Sequence, residues 1–166
     1  MSIGKLLHET LRQAGQPAGA EPERELRVTD GQTAARLGLF DCDRYSITLR
    51  SLELTRGQAT APDDLRERLS GVAAEVTRRL SFLEEPLAVW ELDHREGLAQ
   101  LRSSPPLREG EEVFYWEVAL DGSAELRATV GRYRWAPGMP EREPVAYPAT
   151  FTLVARIADA LDAALA

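Results

Sequence analysis

Arginines alternate with aromatic rings along Gly131-Arg132-Tyr133-Arg134-Trp135. Such a run can clamp an anion between guanidinium groups while flat rings stack on the side chains between them. Nucleic acid is one ligand for a strand of this kind. A protein interface is another, because exposed Tyr, Trp and Arg are enriched there. Net charge separates the two. Lys and Arg total 20 against 27 Asp and Glu, a formal charge of −7. A field of that sign works against phosphate backbones and anionic lipid and favours a basic or protein partner. The candidate partner-binding residues are therefore Tyr115, Arg132, Tyr133, Arg134, Trp135 and Tyr147, with nucleic acid disfavoured. Plain core packing on one face of a strand gives the same alternation, and it is the competing explanation.

Other chemistry is sparse. Lys5, the sole lysine, follows Gly4 without the rest of a phosphate-binding loop, and there is no GxSxG elbow. His8 and His94 are far apart in sequence on different elements, so neither a metal centre nor a cofactor is expected. His94 lies near Glu91, Asp93 and Glu96 but has no nucleophile to serve, and no catalytic residue is assigned. Asp41-Cys42-Asp43 reads as a polar corner. The pairs Asp63/Asp64, Glu84/Glu85 and Glu111/Glu112 fall at a helix start, a helix end and a turn, where solvated carboxylates are expected.

Hydrophobic spacing supplies the elements that must position these residues. Ile3, Leu6, Leu7, Leu11 and Ala14 follow a helical period, with Ser2 placed to cap and Gly15 to stop. Residues 16–23, with Pro17, Gly19 and Pro22, read as a flexible connection. Leu26 and Val28 begin a strand that ends at an Asp30-Gly31 turn, and 33–40 reads as a second, with a helix as its alternative. Tyr45, Ile47 and Leu49 share one face of a third. Leu52 and Leu54 fall out of that phase, which predicts a bulge near Arg50-Ser51. Residues 62–80 form the clearest helix, with Thr60 or Ala61 at its cap and a stripe of Leu65, Leu69, Val72, Ala73, Val76 and Leu80. A strand covered at least partly on both faces follows Pro86, and 98–103 returns to Pro105-Pro106.

The segments 113–120 and 124–130 flank Asp121-Gly122 and read as a hairpin. With Gly122 as the left-handed residue of a short loop, Val118 pairs with Ala124, Trp116 with Leu126 and Phe114 with Ala128. All the apolar residues then face one way. The strand continues to Trp135, and 136–148, with four prolines, reads as an extended surface loop. Thr150 caps a last helix whose stripe is Phe151, Val154, Ala158, Leu161 and Leu165. The expected fold is one α+β domain over 1–166, of order α-βββ-α-ββββ-α. Its antiparallel sheet of about six to seven strands carries helices mainly on one face.

Composition agrees with a folded, cytoplasmic protein. Apolar residues are 43% and charged residues 28%, the one cysteine is Cys42, and nineteen of the 20 basic residues are arginine, as codon bias in a GC-rich genome produces. The N-terminus is too polar for an export signal. Arg156, Asp159 and Asp162 break the apolar C-terminal run, so no membrane span is expected. The leading functional expectation is a small non-enzymatic protein-binding or adaptor protein, with a homodimer among its assemblies. The alternative is a small-ligand-binding domain or enzyme with a pocket between sheet and helices, lined by Trp90, Trp116 and Phe114. In element order, size and acidity the chain resembles type III secretion chaperones, which are small, dimeric and non-enzymatic. The likeness runs from the N-terminus to Pro105-Pro106; the later hairpin and proline segment depart from it, and no functional residue is carried over.

Overall fold

The computed structural model describes residues 1–14, 23–57 and 62–166. The Gly15 stop, residues 16–22 of the expected connection and the Thr60 or Ala61 cap lie outside them. The element order is α1 (Ile3–Ala14), β1 (Arg24–Asp30), β2 (Thr33–Cys42), β3 (Ser46–Arg56), α2 (Pro62–Arg79), β4 (Leu87–Asp93), β5 (Leu98–Ser103), β6 (Leu107–Glu109), β7 (Glu112–Asp121), β8 (Leu126–Trp135), β9 (Glu143–Val145), β10 (Tyr147–Thr150) and α3 (Phe151–Leu165). It is an α+β fold built on one antiparallel sheet of order β1-β2-β3-β8-β7-β5-β4. Helices α1, α2 and α3 pack on one face, with α3 touching both other helices.

Each apolar stripe finds that inner face. In α3, Phe151, Val154, Ala158, Leu161 and Leu165 are buried together with Ile157 and Ala164. Among the described side chains of α2, Leu69, Val72, Ala73 and Val76 are buried, and Leu80 is buried just past its end; the side chain of Leu65, also in the expected stripe, lies outside those described. Burying each large side chain contributes roughly 1.5–3 kcal/mol, so these stripes account for why the helices dock where they do. Residues 33–42 form a strand because Ala35, Leu37 and Leu39 alternate into the core, which overrides the helix propensity of the two alanines.

Ser2 caps α1 as expected, its Oγ accepting from Lys5 N at 3.1 Å. Thr150 caps α3, accepting from Leu153 N at 3.0 Å. Thr150→Ala is expected to cost about 1 kcal/mol, seen as a lower urea midpoint at unchanged slope. The bulge in β3 falls at Arg50: Ser51 pairs with Gly38 and Leu49 with Leu39, leaving Arg50 as the extra residue. It returns Leu52 and Leu54 to the face that holds Ile47 and Leu49.

Several expectations change. Tyr45 precedes β3 and is exposed, so it does not share the face of Ile47 and Leu49. Of the expected polar corner, Cys42 belongs to β2 and is buried, and burial raises its thiol pKa. Asp43 alone makes the turn, accepting from Tyr45 N at 2.8 Å and Ser46 N at 2.7 Å, and these bonds hold its carboxyl below the usual value. The strand after Pro86 is not covered on both faces, since Val89, Trp90 and Leu92 are exposed at the end of the sheet.

The β7–β8 hairpin keeps the expected faces and changes register. Trp116 pairs with Arg132, Val118 with Val130 and Leu120 with Ala128. Gly122 is not left-handed. The turn is set instead by Asp121, whose Oδ1 accepts from the amide and hydroxyl of Ser123 at 2.9 and 2.6 Å. Of the residues expected inward, Trp116 and Val118 are buried and Phe114 is half-buried.

Nor is 136–148 a loop throughout. β9 pairs with the far half of β8, and β10 pairs with the first half of β3. Together they fill the wedge where β3 and β8 diverge, because β3 and β8 pair only over Leu52–Arg56 and Leu126–Val130. Pro144 and Pro148 fit because each of these short strands pairs along one side only, so a missing N–H can face away from the ladder.

Candidate binding cleft on the open face of the sheet

Strand alternation divides the six residues singled out from the sequence. Tyr115 and Tyr133, paired across β7 and β8, lie on the face opposite the helices with their rings stacked at 6.0 Å. Trp135 shares that face and lines a cleft there. Arg132 and Tyr147 belong to the inner side, and Arg134 forms ion pairs with Glu112 and Glu143 that hold its pKa above the ordinary value. Tyr115 is buried rather than exposed, and Arg132 is only 5% exposed. The six do not form one patch.

On the inner side, Arg132 spans a buried network. Its Nη1 donates to Glu85 Oε1 at 3.0 Å, and its guanidinium lies 5.3 Å from the Trp116 ring and 5.5 Å from the Tyr147 ring. Ser103 Oγ donates to the same Glu85 oxygen at 2.9 Å and accepts from Trp116 N at 2.7 Å. Glu85 is therefore a buried ion-pair partner, not a solvated carboxylate; its neighbour Glu84 accepts from the Tyr147 hydroxyl. Glu85, Arg132 and Ser103 are paired with one another, so these groups are structural, while Trp116 Nε1 is buried beside them without a hydrogen-bond partner. Trp116 lies in the core and Trp90 on the other face, so with Phe114 they do not line a common pocket between sheet and helices.

The open face holds a different constellation. A cleft of about 410 Å³ runs from Trp90 on β4 over Arg102 on β5 and Tyr115 on β7 to Trp135, with Pro140, Glu141 and Arg142 beyond. Behind two of the lining side chains is Glu117, 3% exposed, which accepts from Arg102 Nε at 3.0 Å and from Arg142. Arg102 lies 5.3 Å from the Trp90 ring and 5.2 Å from the Tyr115 ring, and Arg142 lies 4.0 Å above Tyr133. Burial works to lower the Arg142 pKa, but Glu117 and Tyr115 outweigh it, so the pKa is raised and the guanidinium stays charged. Trp135 Nε1 donates to Met139 O at 3.2 Å, which ties the proline segment to the end of β8.

Sequence reasoning found Tyr115, Tyr133 and Trp135, named Trp90 only for a pocket on the helix side, and missed Arg102, Glu117 and Arg142. Strand parity from Tyr115 gives Glu117 directly. Trp90 is the extra residue of a bulge in β4, since Val89 pairs with Leu101 and Glu91 with Gln100. No spacing rule signals Arg142, which arrives on the proline segment. His94 is exposed, with Nδ1 3.2 Å from Arg66 O, and no group of three or more His, Cys, Asp or Glu suited to a metal occurs among the described residues. No described helix is long and apolar enough to cross a membrane.

These features define an antiparallel α+β protein with its helices on one face and an aromatic–guanidinium cleft on the other. No family model, curated protein or solved structure matches the chain.

Proposed function

We propose that this is a non-enzymatic protein-binding domain of the cytosol whose working surface is the free edge of β4, and that the partner there is a second copy. The observation that carries the reading is the contrast between the two ends of the sheet. β1 ends one side with Arg24, Glu25, Arg27 and Asp30, the kind of charged edge that discourages pairing. β4 ends the other with Val89 47%, Trp90 58% and Leu92 37% exposed and no Lys or Arg in the strand. Among the described residues no strand pairs with its outer edge.

The β4 sequence is complementary to itself. A two-fold axis at Trp90 sets Val89 of one copy against Glu91 of the other, and Leu87 against Asp93. Carboxylates then never stand directly opposite one another, and apolar residues are covered on both copies. Copies of a chain of charge −7 repel at long range, so association tightens as salt screens them. The cytosolic placement rests on the lone, buried Cys42, which has no intrachain partner for a disulfide.

Hydrogen exchange at increasing protein concentration tests this edge. The amides of β4 should become protected as concentration rises while those of β1 do not change. Protection of β4 independent of concentration would remove the basis for the proposal.

A further inference from the structure

We propose that the cleft on the open face is a binding site for a flat aromatic ring carrying one carboxylate. Two guanidiniums, Arg102 and Arg142, share a single buried carboxylate, Glu117. The buried part of the wall therefore has one surplus positive charge, fixed in place by stacking on Trp90, Tyr115 and Tyr133; Glu141, which also lines the cleft, is exposed at its rim and opposes that charge only from the solvent side. Arg102 uses Nε for Glu117 and Nη2 for Gln100, and Arg142 uses Nη1 for Glu117. A guanidinium has five N–H groups, so donors remain on both, in side chains that keep 25% and 29% exposure.

A planar carboxylate matches a guanidinium fork in shape and accepts two parallel bonds from it. The single surplus charge suits a monoanion. A phosphate dianion would exceed it and would meet Glu141, which is exposed at the rim. Trp90 and Trp135 supply apolar ring surface at the mouth, and a volume of about 410 Å³ lies within the range of small-molecule sites. A lone anion would leave those rings uncovered, and a plain aromatic would leave the donors unused; the aryl carboxylate satisfies both.

The probe is indole-3-carboxylate, with indole-3-carboxamide and acetate as controls, titrated into the full chain while the tryptophan indole N–H signals are followed by NMR. The carboxylate should shift Trp90 and Trp135 and leave the buried Trp116 unmoved, and the amide should bind about ten- to hundredfold more weakly. Arg142→Gln should abolish the response. Glu141→Gln, a change at an exposed position that leaves the fold intact, should tighten it. Equal binding of acid and amide, no shift of Trp90 and Trp135 up to the solubility limit, or indifference to Glu141→Gln would each overturn the proposal.

Discussion

Glu85→Ala is expected to lose about 3–5 kcal/mol of folding stability, because it leaves the Arg132 guanidinium buried without its counter-charge. Arg132 is enclosed between the rings of Trp116 and Tyr147, and its side chain has 4% exposure, so water cannot replace the lost carboxylate without opening the core. Ser103 loses its acceptor in the same step, although it can still accept from Trp116 N. The pair is not required for its charge. Replacing both partners, as Glu85→Leu with Arg132→Met, removes the desolvated ions and should recover most of the loss. Urea unfolding of Glu85→Leu, Arg132→Met and the double variant closes the cycle. Additive losses in the double variant would show that the two residues act independently.

Gly4→Ala is expected to destabilise by about 1–3 kcal/mol, the usual range for overfilling a packed contact. Gly4 lies where α1 crosses α3. A Cβ there would collide with the Ala155 carbonyl oxygen and stand 2.6 Å from Asp159 Oδ2. The close approach has a purpose, since Gly4 N donates to Asp159 Oδ1 at 2.7 Å and Ser2 Oγ reaches Oδ2 at 3.1 Å. Asp159 thus satisfies the Gly4 amide at the start of α1, which the helix cannot satisfy itself. Gly71 is the control. It lies within α2, where an added Cβ would meet nothing within 4 Å, so Gly71→Ala should gain up to about 1 kcal/mol from helix propensity alone. The same substitution in two helices should therefore shift the thermal midpoint in opposite directions; a shared sign would contradict the account of the α1–α3 crossing.

Helix stripes and the β3 bulge were legible because each depends on local spacing. Leu52 and Leu54 cannot share a face with Ile47 and Leu49 without an extra residue, and Arg50 is that residue. The β7–β8 register was not legible for a reason of the same kind. Apolar residues alternate through both strands, so any even shift keeps the faces. Trp116 can meet Leu126 or Arg132, six residues further on, with the pattern intact. The observed register is the one that brings Arg132 to the buried Glu85, a contact between residues far apart in sequence.

The candidate site was legible only in part for related reasons. Alternation could nominate Tyr115, Tyr133 and Trp135 and set Tyr115 opposite the apolar face, but it could not show which residues of other strands gather on that side. Because Arg132 and Tyr133 are neighbours on one strand, they point to opposite faces, and a contiguous sequence patch becomes two sites. The prolines of 136–148 argue against a central strand, as they should, yet an edge position accepts them, and that placement brings Arg142 to Glu117. Trp90 reads as core from sequence because it alternates with Ala88 and Leu92, and its place at a bulge in the end strand exposes it.

Sedimentation equilibrium of the full chain over a wide concentration range tests the central claim most directly. The wild-type protein should fit a monomer–dimer equilibrium that strengthens with salt, and Val89→Lys with Leu92→Lys should leave a folded monomer, since charge on an edge strand blocks pairing. A wild-type chain that stays monomeric at the highest concentration, or a doubly substituted chain that dimerises as well as the wild type, would contradict the assignment of β4 as the binding edge.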